Sequence, residues 1–170
     1  NRDIGLSSKI ARPFPRFPVN NVKMMLRMQV GLTNRHFPVA YNLFDMVEDT
    51  RRLLDKLALN NVYVVGASMG GMIAQILAAK YPKRVSTLGL MFTSNNKPFL
   101  PPTKPKQLQT LLSHPKTTQI DDVVAYGVWC MQRIGSPNHV DEEEVERLIR
   151  LRFERSYHPR GALQQLQAIL

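Results

Sequence analysis

The residue types best suited to chemistry lie in the stretch Asn61-Val62-Tyr63-Val64-Val65-Gly66-Ala67-Ser68-Met69-Gly70-Gly71-Met72-Ile73-Ala74-Gln75. It reads as a buried strand, a turn crowded with small residues and the start of an apolar helix, with Ser68 at the apex. In the pattern Gly-x-Ser-x-Gly, Gly66 and Gly70 remove side chains that would collide where a strand reverses sharply into a helix. The serine is left strained and exposed, which suits a nucleophile. The backbone N–H of Met69 would point from the helix N-terminus at the oxygen of an attacked carbonyl, where charge develops. One turn could thus supply both nucleophile and oxyanion donor. The competing reading is a structural glycine turn, and the apolar strand before it and helix after it favour the chemical one. No Gly-Lys-Ser/Thr follows and the glycine spacing misses the dinucleotide fingerprint, so a phosphate loop is excluded.

The elements that must position Ser68 follow from the pattern on either side. Asn42 can cap a helix from about Leu43 to Leu57, with Asp45 three positions later near the positive end of the dipole and an apolar face running from Leu43 and Met46 to Leu57. Val62 to Val65 is a continuous apolar run suited to a strand buried on both faces of a parallel sheet. Met69 to Tyr81 is an alanine-rich helix closed by Pro82, and Val85 to Phe92 a second strand. Residues 62 to 92 therefore predict a parallel strand-helix-strand unit, the building block of an α/β sheet.

Around this unit the sequence changes character. Residues 1 to 8 are a polar loop in which Arg2 and Asp3 could fix one another or a neighbouring loop. From Lys9 to Ala40, Pro13, Pro15, Pro18 and Pro38 predict an irregular connection with a helical turn or two at Val22 to Val30, whose Met24, Met25 and Met28 pack on a core. After a proline-rich loop over residues 93 to 105 only helices are predicted: Lys106 to Leu112, Ile120 to Ile134, Asp141 to Tyr157 and Gly161 to Leu170. The acids Asp141 to Glu144 suit the helix dipole better than a metal site. The expected organisation is an α/β core over residues 1–95 and a helical block over 96–170, the latter a lid over the strand ends, where open α/β sheets bind ligands.

Composition narrows the function classes. A 170-residue chain with 44% hydrophobic residues holds about one domain with a sizeable core. The lone Cys130 cannot form an internal disulfide and, beside Trp129 and Met131, reads as a buried thiol. No apolar run spans a membrane and no signal peptide is legible, so the expectation is a cytoplasmic protein without a membrane partner; the start at Asn1 suggests that an upstream segment is missing. The 23 Lys and Arg against 13 Asp and Glu leave +10, but these charges are scattered from Arg12 and Arg16 to a helix ending at Arg155. They predict a solvated basic surface and no nucleic-acid partner.

The stretches Asn1-Arg2-Asp3-Ile4-Gly5-Leu6-Ser7-Ser8, Gly66 to Gln75 and Tyr81-Pro82-Lys83-Arg84-Val85 together resemble the α/β-hydrolase superfamily, and more narrowly its bacterial esterases similar to aclacinomycin methylesterase. The resemblance covers most of residues 1 to 92 and is looser beyond. It implies a partial α/β-hydrolase fold followed by a helical cap, with Ser68 as nucleophile, the Met69 N–H as one oxyanion donor, and a cap that shapes the substrate pocket. Relatives that open epoxides or remove halides carry aspartate at the elbow, so serine favours ester or thioester chemistry through an acyl-enzyme. A small-molecule ester is the implied substrate, with no metal or organic cofactor.

The family order is Ser, then Asp or Glu, then His. Here His36 lies in a proline-rich loop before the elbow, His114 before Pro115, His139 in a turn and His158 before Pro159, and none follows a late strand. Thr93-Ser94-Asn95-Asn96 offers no triad carboxylate. The chain is therefore expected to be an internal piece of a longer hydrolase, inactive by itself, with acid, base and second oxyanion donor elsewhere. The alternative is a catalytically inactive scaffold or interaction module.

Overall fold

The computed structural model describes residues 1–10 and 19–170 of the chain, so Pro13, Pro15, Pro18, Arg12 and Arg16 lie outside the described residues. The chain divides into two compact units: residues 1–100 with 159–170, and residues 101–158.

In the first unit, helix α1 (Val19–Gln29) leads to α2 (Leu43–Lys56), then strand β1 (Val62–Ala67), helix α3 (Met69–Lys80) and strand β2 (Val85–Met91). The expected turn or two before α2 is a full 11-residue helix, with Met24 buried and Met25 and Met28 half-buried. Asn42 caps α2 as its sequence predicts: its side chain accepts from the N–H groups of Phe44 and Asp45 at 2.8 and 3.1 Å, while the Asp45 carboxylate accepts from Asn42 N–H at 2.9 Å. This reciprocal arrangement satisfies donors that the helix itself cannot.

The sheet pairs β1 with β2 in parallel, Tyr63 facing Thr87 and Ala67 facing Met91, with α3 in the connection. The core lies between α3 and α2, where Met46, Val47, Ile73 and Leu77 are buried with Tyr41, Leu43 and Ala168. Each side chain fully withdrawn from water contributes roughly 1.5–3 kcal/mol before conformational entropy is counted. The expectation of a strand buried on both faces is not met: Tyr63 and Val65 are 79% and 69% exposed. They point away from Val64, which packs towards the core, and among the described residues α3 covers only that one face.

Helix α7 (Pro159–Ile169) belongs to this first unit, whereas the sequence groups it with the helical block 96–170. Gly161 explains the docking, because a Cβ there would stand 2.3 Å from the backbone oxygen of Asp3. Glutamines extend the contact: Gln165 Nε2 donates to Arg2 O at 3.0 Å and Gln167 Nε2 to Asn21 Oδ1 at 3.1 Å. Asp3 is fully buried, and its Oδ1 accepts from Ile10 N–H at 2.6 Å. Burial and then this carboxylate push the Tyr41 phenol well above its ordinary pKa. Arg2 does not pair with Asp3; it makes a two-pronged bridge to Asp49 of α2 at 2.6 and 2.7 Å.

The second unit is helical: α4 (Pro105–Leu112), α5 (Ile120–Ile134) and α6 (Glu142–Arg155). Helix α6 starts one residue later than its acid run, since Asp141 serves as the cap and accepts from Glu144 N–H at 3.1 Å. Gly127 of α5 lets Ile149 of α6 approach, and Tyr126 ties α5 to α4 by donating to Ser113 O at 2.8 Å.

Candidate active site

Ser68 follows β1 and precedes α3, with φ 50° and ψ −125°. No side chain but glycine takes that conformation freely, and holding serine there costs about 1–3 kcal/mol. The surroundings enforce it. Ser68 N–H donates to Met91 O at 3.1 Å, and Ser68 O accepts from Gly71 N–H at 2.9 Å, Met72 N–H at 3.2 Å and Thr93 Oγ1 at 2.6 Å. The side chain makes no capping hydrogen bond and the residue is exposed. A backbone clamped on both sides thus presents an uncommitted hydroxyl.

The glycines divide the work differently from the expected pattern. A Cβ on Gly66 would stand 2.5 Å from Gly70 O and 2.7 Å from Gly71 Cα, so that position requires glycine. Gly70, the second glycine of Gly-x-Ser-x-Gly, has open space around its absent side chain. The crowded position is Gly71, whose Cβ would meet Thr93 Cβ at 2.6 Å. The motif letters do not distinguish the two; only the packing of Thr93 does.

Met69 opens α3, so its N–H has no carbonyl four residues back inside the helix. It sits at the positive end of the dipole, next to the exposed serine, where a developing oxyanion would be stabilised. Gln75 stitches the next turn to the segment after β2, donating to Ser94 O at 3.0 Å. In the same unit an open groove of about 500 Å³ runs past Met72, Gln75, Ile76, Leu43 and Phe44 to Asn95 and Asn96; Ser68 is not among its lining residues.

No described histidine is hydrogen-bonded to Ser68. His36, His114 and His139 are exposed, the His114 ring contacts Pro115 O at 3.0 Å, and the Nε2 of half-buried His158 is buried without a partner. Thr93 to Asn96 bring hydroxyls and amides near α3, as the sequence says, and no carboxylate. Among the described residues no group of three or more His, Cys, Asp or Glu is gathered as a metal site, and no helix is long and apolar enough to cross a membrane.

The aromatic residues of the second unit pack on one another. Tyr126 stacks on Trp129 at 5.8 Å between centroids, Arg133 lies 4.3 Å over the Trp129 ring, and Phe153 stacks on Tyr157 at 4.6 Å. Cys130 is half-buried where full burial is expected, because it lies on an α5 face only partly covered; that burial still raises its thiol pKa, against the Tyr126 hydrogen bond and Arg133.

A strained serine between a parallel strand and a helix, with Met69 and Gly70 opening that helix, has the strand–turn–helix geometry of the elbow found in α/β hydrolases. Residues 12–124 match the alpha/beta hydrolase fold family, and the chain belongs to that family. It is 31% identical over 111 residues to a cis-3-alkyl-4-alkyloxetan-2-one decarboxylase of Shewanella oneidensis, covering 65% of this chain and 34% of the relative. Two solved structures share the fold. One is a 2-hydroxy-6-oxo-6-phenylhexa-2,4-dienoate hydrolase from Rhodococcus sp. strain RHA1, with TM-score 0.52, 18% identity, and coverage of 82% of this chain and 49% of that one. The other is a meta-cleavage product hydrolase from Pseudomonas fluorescens IP01, with TM-score 0.50, 18% identity, and coverage of 87% and 54%. The chain thus spans about a third of this curated relative and about half of each solved structure.

Proposed function

We propose that this chain carries the nucleophile half of a serine hydrolase acting on carboxylic esters, with the triad acid and base supplied by sequence outside these 170 residues. One observation carries the reading: Ser68 is held at φ 50° with its hydroxyl uncommitted, at the N-terminus of α3. In the reaction the Ser68 oxygen bonds to the ester carbonyl carbon while a base takes its proton, and the carbonyl oxygen becomes an oxyanion facing the Met69 N–H. Collapse expels the alcohol, which takes the proton, and leaves an acyl-enzyme. Water then attacks the acyl carbon, the acid is released and Ser68 regains its proton. An oxetan-2-one, named in the Shewanella relative's activity, is a cyclic ester and fits the same electrophile class. Resemblance to aclacinomycin methylesterase suggests a small methyl ester as the substrate. No nucleic acid, membrane or cofactor enters this scheme.

The test is covalent labelling of the full-length protein with a fluorophosphonate. The expected result is a single adduct at Ser68 that disappears in Ser68→Ala. A folded full-length protein that takes no label sinks the reading. It would favour the second one, an inactive α/β-hydrolase scaffold, for which the absence of a described histidine bonded to Ser68 is the supporting observation.

A further inference from the structure

Two hydrogen bonds from the segment after β2 converge on one residue. The Met91 carbonyl accepts from Ser68 N–H at 3.1 Å, and the Thr93 hydroxyl donates to Ser68 O at 2.6 Å. Between them Phe92 has φ 36°, a left-handed conformation that turns the chain so that both neighbours face the elbow. Thr93 reaches the carbonyl because Gly71 has no side chain: a Cβ there would stand 2.7 Å from Thr93 Oγ1 and 2.7 Å from Cγ2. The third glycine of the run therefore has a specific purpose, to admit this hydroxyl.

The consequence lies in the peptide unit. Ser68 C=O and Met69 N–H belong to the same planar amide, so whatever fixes the carbonyl fixes the direction of the N–H. A donor on the carbonyl oxygen also draws electron density from the nitrogen, and hydrogen bonds in such a chain strengthen one another. The Thr93 contact is the shortest of the three that this oxygen accepts. We infer that Thr93 is a positioning residue: through the Ser68–Met69 peptide it aims the Met69 N–H and strengthens it as an oxyanion donor. Thr93 touches no reacting atom and acts only through this amide. The inference rests on the serine-hydrolase reading for its catalytic consequence, although the peptide coupling itself is independent of that reading.

The experiment compares Thr93→Val, Thr93→Ala and Thr93→Ser in the full-length protein, by the rate of fluorophosphonate labelling and by the Met69 amide resonance in ¹⁵N-labelled samples. Thr93→Ala relieves the packing on Gly71 should valine prevent folding, and Thr93→Ser keeps the hydroxyl. Complete loss of an oxyanion donor costs about 10²–10³ in rate, so weakening one should slow labelling of Ser68 roughly three- to tenfold in the valine and alanine variants. The serine variant should stay within about twofold of the parent. The Met69 amide proton should move upfield in the valine and alanine variants and stay in place in the serine variant. Unchanged labelling in a folded valine or alanine variant, or a loss in Thr93→Ser equal to theirs, overturns the inference. If the parent takes no label while the Met69 resonance still responds to loss of the hydroxyl, the peptide coupling is upheld and the hydrolase reading is what falls.

Discussion

The two units solve the problem of holding helices together in different ways. In the first, α2, α3 and α7 share an apolar core in which Met46 and Leu77 are 2% and 1% exposed, and backbone approaches at Gly66, Gly71 and Gly161 leave no room for a Cβ. In the second, Thr110 and Val124 are the buried residues among those described, and α4, α5 and α6 are joined by side-chain hydrogen bonds such as Gln107 to Arg133 O and Tyr126 to Ser113 O and by ion pairs such as Arg150 with Asp121. The strained serine sits in the unit where close packing can hold it. A conformation costing about 1–3 kcal/mol persists only when its surroundings over-determine it, and a surface-paired helical unit does not offer that.

Cavity creation should break this contrast most visibly. Leu77→Ala in α3 should cost about 3–5 kcal/mol, and Val124→Ala in α5 about 1.5 kcal/mol, because only the first opens a void among fully buried neighbours. Urea titration with hydrogen exchange read separately in α3 and α5 measures both. Equal losses would mean that the second unit has a core as tight as the first.

Glycine substitution comes next. Gly66→Ala drives a Cβ into backbone atoms at 2.5 and 2.7 Å, and should cost about 3 kcal/mol together with labelling of Ser68. Gly127→Ala in α5 meets Ile149 Cδ1, the far end of a flexible side chain, and should remain within about 1 kcal/mol of the parent. Gly70→Ala meets nothing and should stabilise α3 by up to about 1 kcal/mol. A Gly70→Ala protein as damaged as Gly66→Ala would restore the motif's literal reading, in which both of its glycines are steric.

What was legible in the sequence follows the same division. The strand, elbow, helix and second strand are local, carried by apolar runs bounded by Asn61, Gly66 and Pro82, and their bounds fall within a residue or two of expectation. The Asn42 cap was legible because Asp45 follows it at the spacing a capping box needs. The allegiance of α7 was not, since it depends on Gly161 meeting a backbone oxygen 158 residues away in the chain, at Asp3. Nor was the exchange of duties between Gly70 and Gly71, which is decided by a threonine in the segment after β2. The exposed face of β1 escaped the reading too, because an apolar run records the residue types and not which neighbours cover them.

Helix caps give a smaller effect and test whether each unit's helices are equally self-supporting. Asn42→Ala removes the side-chain half of a reciprocal cap, which accepts two N–H groups, and should cost about 1 kcal/mol, whereas Asp141→Ala removes one hydrogen bond and should cost about 0.5 kcal/mol. Thermal melting of the two variants ranks them.

The smallest expected effect is electrostatic and depends on pH. Glu48 of α2 accepts from Lys80 at 2.6 Å, from the Tyr81 hydroxyl, and from Arg51 at 2.9 Å, which together hold its carboxyl at about 2, below the ordinary 4.5. A carboxyl depressed in the folded state contributes stability that is fully present above pH 4.5 and disappears as the pH falls through about 2. Because the group is open to solvent, salt screens it and the contribution is modest. Glu48→Gln should therefore melt below the parent near pH 6, and the gap should close between pH 4.5 and 2 and shrink in high salt. In the second unit Glu144 is lowered in the same direction by Arg147 alone, so Glu144→Gln should show the same pH trend with a smaller gap. The difference arises because the Glu48 network joins two helices across the first unit, α2 to the end of α3, while the Glu144 pair lies three residues apart on one helix and ties nothing together that the helix does not already hold.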